Sequence, residues 1–66
     1  MTPVQSSNLA AVAYDGRTLT IAFHSGGVYA YFRVPLWEYA GLMRAESHGQ
    51  YFHARIKNRY THRRIQ

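Results

Sequence analysis

Cysteine is absent from the 66-residue chain, which excludes disulfide bonds and every metal site built on thiolates. The absence fits a reducing compartment. A chain of this length forms one domain, and such a domain buries only about 60% of its unfolded surface. We therefore expect the fold to be stabilised by aromatic packing, by oligomerisation or by attachment to a partner.

Long apolar runs are also missing. The longest run, Leu9 to Tyr14 (LAAVAY), is far too short to cross a bilayer. The amino-terminal residues show neither the basic n-region nor the apolar h-region of a secretory signal. We therefore expect a soluble protein of the cytoplasm that does not associate with membranes.

Acidic residues are scarce, since three Asp and Glu stand against eight Lys and Arg and give a net charge of +5. Six of these eight cations follow position 43, where Glu46 is the only acid: Arg44, Arg55, Lys57, Arg59, Arg63 and Arg64. This asymmetry favours an anionic partner, of which nucleic acid is the commonest kind. A solvated helix face that keeps a small protein in solution is the alternative.

Patterns typical of catalysis and of metal binding are missing as well. The four histidines are scattered and form no HExxH or closely paired ligands: His24, His48, His53 and His62. Serine, histidine and Asp15 occur without a nucleophile elbow or a comparable context. The glycines of SGG lie between two predicted strands, so they indicate a hairpin and not a phosphate loop. We expect neither an enzyme nor a bound metal or cofactor.

Strand periodicity is the clearest pattern that is present. Alternating side chains predict three strands, over residues 8–14, 17–23 and 28–34. Asp15-Gly16 is typical of a two-residue hairpin turn, and HSGG supplies a second turn. Residues 1–7 are predicted to be a loose lead-in. The result is a three-stranded antiparallel meander.

Two helices are predicted after the strands. Pro35 suits the first position of a helix over 35–45, whose apolar stripe is Leu36, Tyr39 and Met43, with Leu42 beside them. Ser47 and Gln50 form a capping box, which opens a helix that carries Phe52, Ile56 and Tyr60 at intervals of four. The tail THRRIQ either frays or docks through Ile65. We predict a single α+β domain over 1–66, ordered β-β-β-α-α, with both helices on one face of the sheet.

The turn before the third strand decides which of its faces is buried. A loop of two or four residues would pair Leu19 and Ile21 with Val28 and Ala30, and it would leave Tyr29 and Tyr31 outside. A three-residue loop with Gly26 in the left-handed region exchanges the two faces. Gly26 suits that conformation, and a short chain benefits from burying its largest rings. We therefore favour the register that buries the two tyrosines.

Several short pieces of the chain occur together in a particular order. They are Ser6-Ser7, Tyr14-Asp15, Gly26, Tyr29 and Tyr31, Val34-Pro35, Ser47, Gly49, Tyr51-Phe52, Ile56-Lys57, Tyr60 and Arg64-Ile65. In this order and spacing the chain resembles the KTSC domain. This small bacterial domain is named for its place at the carboxyl terminus of some lysyl-tRNA synthetases, and it also occurs alone. The resemblance implies nucleic-acid binding, which has been proposed for the family. His53 departs from the pattern, because the family commonly has Asn there.

The predicted nucleic-acid site is the basic carboxyl-terminal helix with its tail. Tyr51, Arg55 and Arg59 fall on one flank of the helix, and Lys57 falls on the other with His53. Arg33, Arg63 and Arg64 would extend the charge. Cations that neutralise phosphates and rings that stack on bases are what single-stranded nucleic acid requires. The resemblance alone favours RNA, and structured RNA such as tRNA.

A protein-interaction module or a homodimer is the alternative function. Trp37 lies off the apolar stripe of its helix, and Phe32 lies on the face of the third strand that the tyrosines do not use. The alanine-rich first strand would be a free sheet edge on which another chain could pair.

Overall fold

A computed structural model describes residues 1–66, which form one five-stranded antiparallel sheet and two helices. The strands are β1 (Thr2–Pro3), β2 (Leu9–Tyr14), β3 (Leu19–Phe23), β4 (Val28–Tyr31) and β5 (His62–Arg64). The helices are α1 (Leu36–Arg44) and α2 (His48–Arg55), and the strand order in the sheet is β1-β2-β3-β4-β5. The α+β class and the two helices agree with the prediction, whereas the number of strands does not.

The two additional strands lie in segments that were predicted to be irregular. β1 has two residues and pairs with β2, and β5 has three residues and pairs with β4. Strands this short cannot show a period of two, so the sequence pattern missed them. The third predicted strand, in contrast, is too long. It ends at Tyr31, because Arg33 adopts a left-handed conformation (φ 59°) that turns the chain towards α1.

The turn between β2 and β3 is centred one residue later than predicted. The backbone N–H of Asp15 donates to the carbonyl of Thr18 (3.3 Å), which places Gly16 and Arg17 at the centre of the turn. Gly16 has a φ of 100°, which glycine adopts without strain. The Asp15 carboxylate accepts from the backbone N–H of Thr18 (2.7 Å) and of Arg17 (2.9 Å). These two bonds hold the pKa of Asp15 below its ordinary value of 3.8.

Asp15→Asn tests the contribution of this carboxylate. Because its folded pKa is depressed, its stabilisation is present above the unfolded pKa and is lost as pH falls through the folded pKa. On acidification from neutral pH to below 3.8, the native protein should therefore lose stability that the Asn variant does not lose. Urea midpoints measured across that range check this. If both proteins lost the same stability on acidification, the hydrogen bonds of the Asp15 carboxylate would make no net contribution to stability.

The hairpin between β3 and β4 has the three-residue loop that buries the tyrosines. Phe23 N–H donates to the carbonyl of Gly27 (3.1 Å), and Gly26 takes the left-handed position with a φ of 94°. In the resulting register Leu19 pairs with Tyr31 and Ile21 pairs with Tyr29. The predicted register is confirmed. The sheet face that carries both tyrosines is called the inner face below, and the opposite one is the outer face.

The core lies between the inner face and the helices. Nine buried side chains form it: Leu9, Val12, Leu19, Ile21, Tyr31, Val34, Leu42, Phe52 and Ile56. The predicted apolar stripe of α1 is wrong at one residue, Leu36, which was expected to be buried. Leu36 is 67% exposed, and the side chains of α1 that are fully buried are Leu42 and Glu38. Two helical stripes were available in this segment, and hydrophobicity alone favoured the one that contains a leucine over the one that contains a glutamate.

The second helix is shorter than predicted. Ser47 accepts from the backbone N–H of Gln50 (3.1 Å), so the predicted N-cap is confirmed. The helix ends at Arg55, because the N–H groups of Ile56 and Lys57 both donate to the carbonyl of Phe52 and close the last turn. The predicted basic helix with its tail is therefore wrong as a unit, since its cations lie on α2, on the turn that follows and on β5.

Tyr31→Ala tests the inner-face register. The ring is only 4% exposed and contacts Phe52 edge to face at 5.4 Å, so its removal should lower the free energy of unfolding by about 3 kcal/mol. Tyr31→Phe is the matched control, because the hydroxyl has no hydrogen-bond partner in the protein and is not enclosed. Denaturant unfolding measures both. An Ala variant as stable as the Phe variant would contradict the burial of this ring.

Candidate functional site

A groove of about 490 Å³ opens on the inner face between the sheet and the end of α2. We call it the aromatic groove. Ten residues line it: Asn8, Phe23, Ser25, Tyr29, Tyr31, Phe52, His53, Lys57, Asn58 and His62. Tyr29 and Tyr31 both belong to it, so these rings line an open surface as well as packing against the core.

Four aromatic rings form the floor of the groove, and they fix one another by edge-to-face contacts. Phe23 lies 5.7 Å from Tyr29 and 5.3 Å from Phe52, measured between ring centroids, and Tyr31 lies 5.4 Å from Phe52. Such pairs contribute about 0.5–1.5 kcal/mol each beyond the area they bury. The floor is therefore in place before any ligand arrives.

The rim of the groove consists of polar side chains that have no hydrogen-bond partner within the protein. They are Asn8, Ser25, His53, Lys57, Asn58 and His62, and no acidic residue lines the groove. The His62 ring lies 5.3 Å from the Tyr31 ring. Arg64 stands beside the groove, with its guanidinium 5.9 Å from the centre of the Tyr29 ring. The hydrogen-bonding capacity of this rim remains open to a ligand.

The predicted nucleic-acid residues fall into three groups. Lys57 and Arg64 border the aromatic groove. Arg63 pairs with Ala30 and so belongs to the outer face, and Arg33 lines a different groove. Of the remaining three, Tyr51 and Arg55 contact a buried carboxylate of α1, and Arg59 lies close enough to Tyr51 for its charge to lower the pKa of that hydroxyl. The structure therefore does not bring the predicted residues together into one surface.

That buried carboxylate belongs to Glu38, which the sequence analysis missed. Its side chain is fully buried. Tyr51 donates its hydroxyl to Oε2 (2.5 Å), Tyr60 donates to Oε1 (3.0 Å), and Arg55 Nε lies 3.9 Å from Oε2. A buried charge is tolerated only when it is paired and hydrogen-bonded, and this arrangement meets both requirements. We call these four side chains the Glu38 cluster.

The two tyrosine hydroxyls of the cluster are held in their protonated form. Burial raises the pKa of Tyr51 and of Tyr60, and the hydrogen bond to Glu38 and the charge of Glu38 raise both further. The positive charges of Arg55 and Arg59 oppose this rise at Tyr51. Gly41 makes room for the arrangement, because a Cβ there would lie 2.8 Å from Cζ of Tyr51.

Little in the sequence indicated the cluster. A glutamate in the first turn of a helix normally faces solvent and interacts with the helix dipole. Tyr51 was predicted to lie on a binding flank, but it is half-buried and bonded to Glu38. The only available signal was that Tyr51 and Tyr60 follow Glu38 in a segment that is rich in cations and whose one other acid is Glu46.

The residues predicted for protein contacts differ in exposure. Trp37 is 59% exposed and adjoins the exposed Leu36. Phe32 is half-buried and lines a second groove of about 540 Å³ with Arg17, Thr18, Arg33 and Thr61. The predicted free edge is wrong, because β2 is paired on both sides and the edges of the sheet are the very short β1 and β5. Short edge strands discourage pairing with other chains.

Neither of the two helices is long and apolar enough to span a membrane. No three His, Asp or Glu side chains lie close enough together to ligate one metal ion.

Tyr51→Phe tests the Glu38 cluster. Removing the hydroxyl leaves a buried carboxylate oxygen short of a donor, so the free energy of unfolding should fall by about 1.5–3 kcal/mol. Tyr29→Phe is the matched control, because the Tyr29 hydroxyl makes no hydrogen bond within the protein. Unfolding in urea at pH 7 compares the two. If both variants unfolded at the same urea concentration, the hydrogen bond from Tyr51 to Glu38 would make no net contribution to stability.

Comparison with known proteins gives a consistent result. The family model of the KTSC domain matches residues 5–60. A lysine–tRNA ligase of Trichormus variabilis is 47% identical over 49 residues, and one of a Nostoc species is 45% identical over 49 residues. These matches cover 74% of this chain and only 9% of each ligase, so the chain spans about a tenth of the length of those relatives.

Two other relatives match nearly end to end. A protein of Tsukamurella paurometabola is 36% identical over 62 residues, which covers 91% of this chain and 92% of that protein. The crystal structure of a KTSC domain protein from Yersinia pestis superimposes with a TM-score of 0.95 at 36% identity, over 98% of this chain and 94% of that one.

Proposed function

The chain belongs to the KTSC-domain family, and from this premise we propose that it is a non-catalytic module that binds RNA through the aromatic groove. Two relatives are lysine–tRNA ligases, whose substrate is an RNA, and a tRNA-related role is compatible with that kinship. Structured RNA with unpaired bases, such as tRNA, is the ligand that we favour.

The observation that carries the proposal is the pairing of an aromatic floor with an unsatisfied polar rim. Sequence-tolerant binding of single-stranded nucleic acid uses exposed π-faces on which bases stack, and each stacked base contributes about 1–3 kcal/mol. Tyr29 and His62 offer partly open rings at the groove. Asn8 and Asn58 offer amide donors and acceptors of the kind that read the edges of unpaired bases.

Electrostatics supports an anionic ligand at this place. Of the three acids, Asp15 accepts from backbone N–H groups in a turn, and Glu38 is buried. The one ion pair to an Asp or Glu joins Arg55 to Glu38, so Lys57 and Arg64 have no partner of that kind. Arg64 donates its Nε to the backbone oxygen of Gln66 (2.8 Å). A region of positive potential attracts phosphates and speeds their association. The groove therefore combines stacking surfaces with uncompensated charge.

A protein partner is the second candidate, and a different surface favours it. Leu36 and Trp37 are adjacent on the first turn of α1 and are 67% and 59% exposed. Trp is the residue type most enriched among the side chains that dominate interface energies. This pair lies outside the aromatic groove, so variants can separate the two functions.

Paired variants on β5 test RNA binding at the groove. Arg63 and Arg64 are consecutive residues of one strand that point to opposite faces, so Arg63→Ala is a matched control for Arg64→Ala. Lys57→Ala with Arg64→Ala should weaken the binding of a fluorescent single-stranded RNA and of tRNA. The slope of log affinity against log salt should decrease by about 0.7 for each phosphate contact that is lost.

The measurement is fluorescence anisotropy across a salt series, with folding checked by circular dichroism. Equal weakening by Arg63→Ala and by Arg64→Ala would contradict binding at the groove. A folded parent protein that bound neither RNA, but that retained a protein partner after nuclease treatment and lost it with Trp37→Ala, would favour the second candidate.

A further inference from the structure

The second groove lies at the end of the outer face, on the other side of the sheet from the aromatic groove. We call it the outer groove, and its lining residues are Arg17, Thr18, Phe32, Arg33 and Thr61. The register aligns three of them in a row across the sheet. Leu19 pairs with Tyr31, which puts Thr18 beside Phe32, and Phe32 N–H donates to the carbonyl of Thr61 (2.9 Å).

The two arginines of the outer groove are held close together by the backbone. Val34 N–H donates to the carbonyl of Arg17 (2.8 Å), which fastens the β2–β3 turn to the segment that carries Arg33. Neither guanidinium has an ion pair, since Glu38 and Arg55 form the one pair in the chain. Asp15 lies two residues before Arg17, and the Arg17 charge helps to lower its pKa, but its carboxylate accepts from the backbone N–H groups of Arg17 and Thr18 and forms no ion pair.

Arg33 is the only residue other than glycine with a positive φ. At 59° this backbone conformation is strained for an arginine and unstrained for a glycine. The backbone conformation at position 33 therefore disfavours arginine, whatever its side chain contacts. Its exposed side chain makes no hydrogen bond or ion pair in the protein that would compensate for the strain. A ligand of the guanidinium would account for its presence.

We propose that the outer groove binds a phosphate group. Two guanidinium groups supply charge-assisted donors, the two threonine hydroxyls supply neutral ones, and the half-buried Phe32 ring offers an apolar surface to the sugar or base attached to the phosphate. The phosphate belongs either to a free mononucleotide or to an RNA backbone. This site is independent of the aromatic groove, with which it shares no lining residue.

Titration followed by amide chemical shifts locates the site. Inorganic phosphate, AMP and a short RNA duplex are added separately to the labelled chain at constant ionic strength. Saturable shifts should cluster at the lining residues of the outer groove. If the chain binds AMP more tightly than inorganic phosphate, and if Phe32→Ala removes that difference in affinity, the site is a mononucleotide site. If only the duplex binds, the site is an RNA backbone site.

Arg33→Gly is the decisive variant. Because its φ suits glycine, the variant should unfold at the same or a higher denaturant concentration than the parent. It should nevertheless bind the same probe about tenfold more weakly, as expected for the loss of one charge-assisted hydrogen bond. Arg17→Ala should weaken binding similarly without the gain in stability. Arg63→Ala, on the same face but outside the groove, is the control.

Two outcomes would overturn the proposal: unchanged affinity in both the Arg33→Gly and Arg17→Ala variants, or shifts confined to the residues of the aromatic groove. The double variant Lys57→Ala with Arg64→Ala separates the two sites. It should leave the phosphate titration unchanged even though it weakens binding of single-stranded RNA.

Discussion

The carboxylate of Glu38 is the constraint on which the rest of the fold depends. A charge with no exposed surface must keep its partners, and those partners come from two other parts of the chain. Tyr51 brings α2 against α1, and Tyr60 fixes the segment that leads into β5. Removing any one of these partners would leave the buried carboxylate with fewer donors, so the cluster favours this one arrangement of the helices. It defines which helix faces meet.

The position of the aromatic groove follows from this arrangement. Its far wall is His62, two residues after Tyr60, and its near wall is the end of α2, four residues after Tyr51. Both walls are thus attached to the Glu38 cluster through short pieces of backbone. The floor is fixed separately by the hairpin register and by contacts between rings. The cluster does not contact the ligand in the proposal, and it is connected to both walls only through the backbone.

Much of the fold could be predicted from the sequence, because long periodic segments carry their own signal. The three central strands, both helices, the Ser47 cap and the register of the tyrosines all follow from alternation, helical spacing and one glycine. The strands β1 and β5 could not be predicted, since two or three residues hold no period. Leu36 was wrongly assigned to the buried stripe and Glu38 was missed, because hydrophobicity ranks single residues, whereas the buried glutamate is stabilised by tyrosines far along the chain.

The site was less accessible to sequence reasoning than the fold. Clustered cations in the sequence suggested one basic surface, but the end of α2 at Arg55 and the return of the chain as β5 distribute them over both faces. Of the predicted nucleic-acid residues, Lys57 lines the aromatic groove and Arg64 lies beside it. Asn8, Ser25 and Asn58 gave no sequence signal, because isolated polar residues in loops are ordinary. Only the three-dimensional arrangement shows that they share a rim.

The loop between β3 and β4 has a consequence for how this protein can change over evolutionary time. Ser25 is exposed, and a side chain at Gly26 would meet no other atom, although its φ would remain unfavourable. Many substitutions in the loop should therefore be tolerated. Insertion or deletion of one residue is different, because it would turn Tyr29 and Tyr31 to the outer face and remove the floor of the groove. The composition of this surface thus depends on the length of a loop that contributes only Ser25 to it, and homologues should vary in this loop by substitution far more readily than by length.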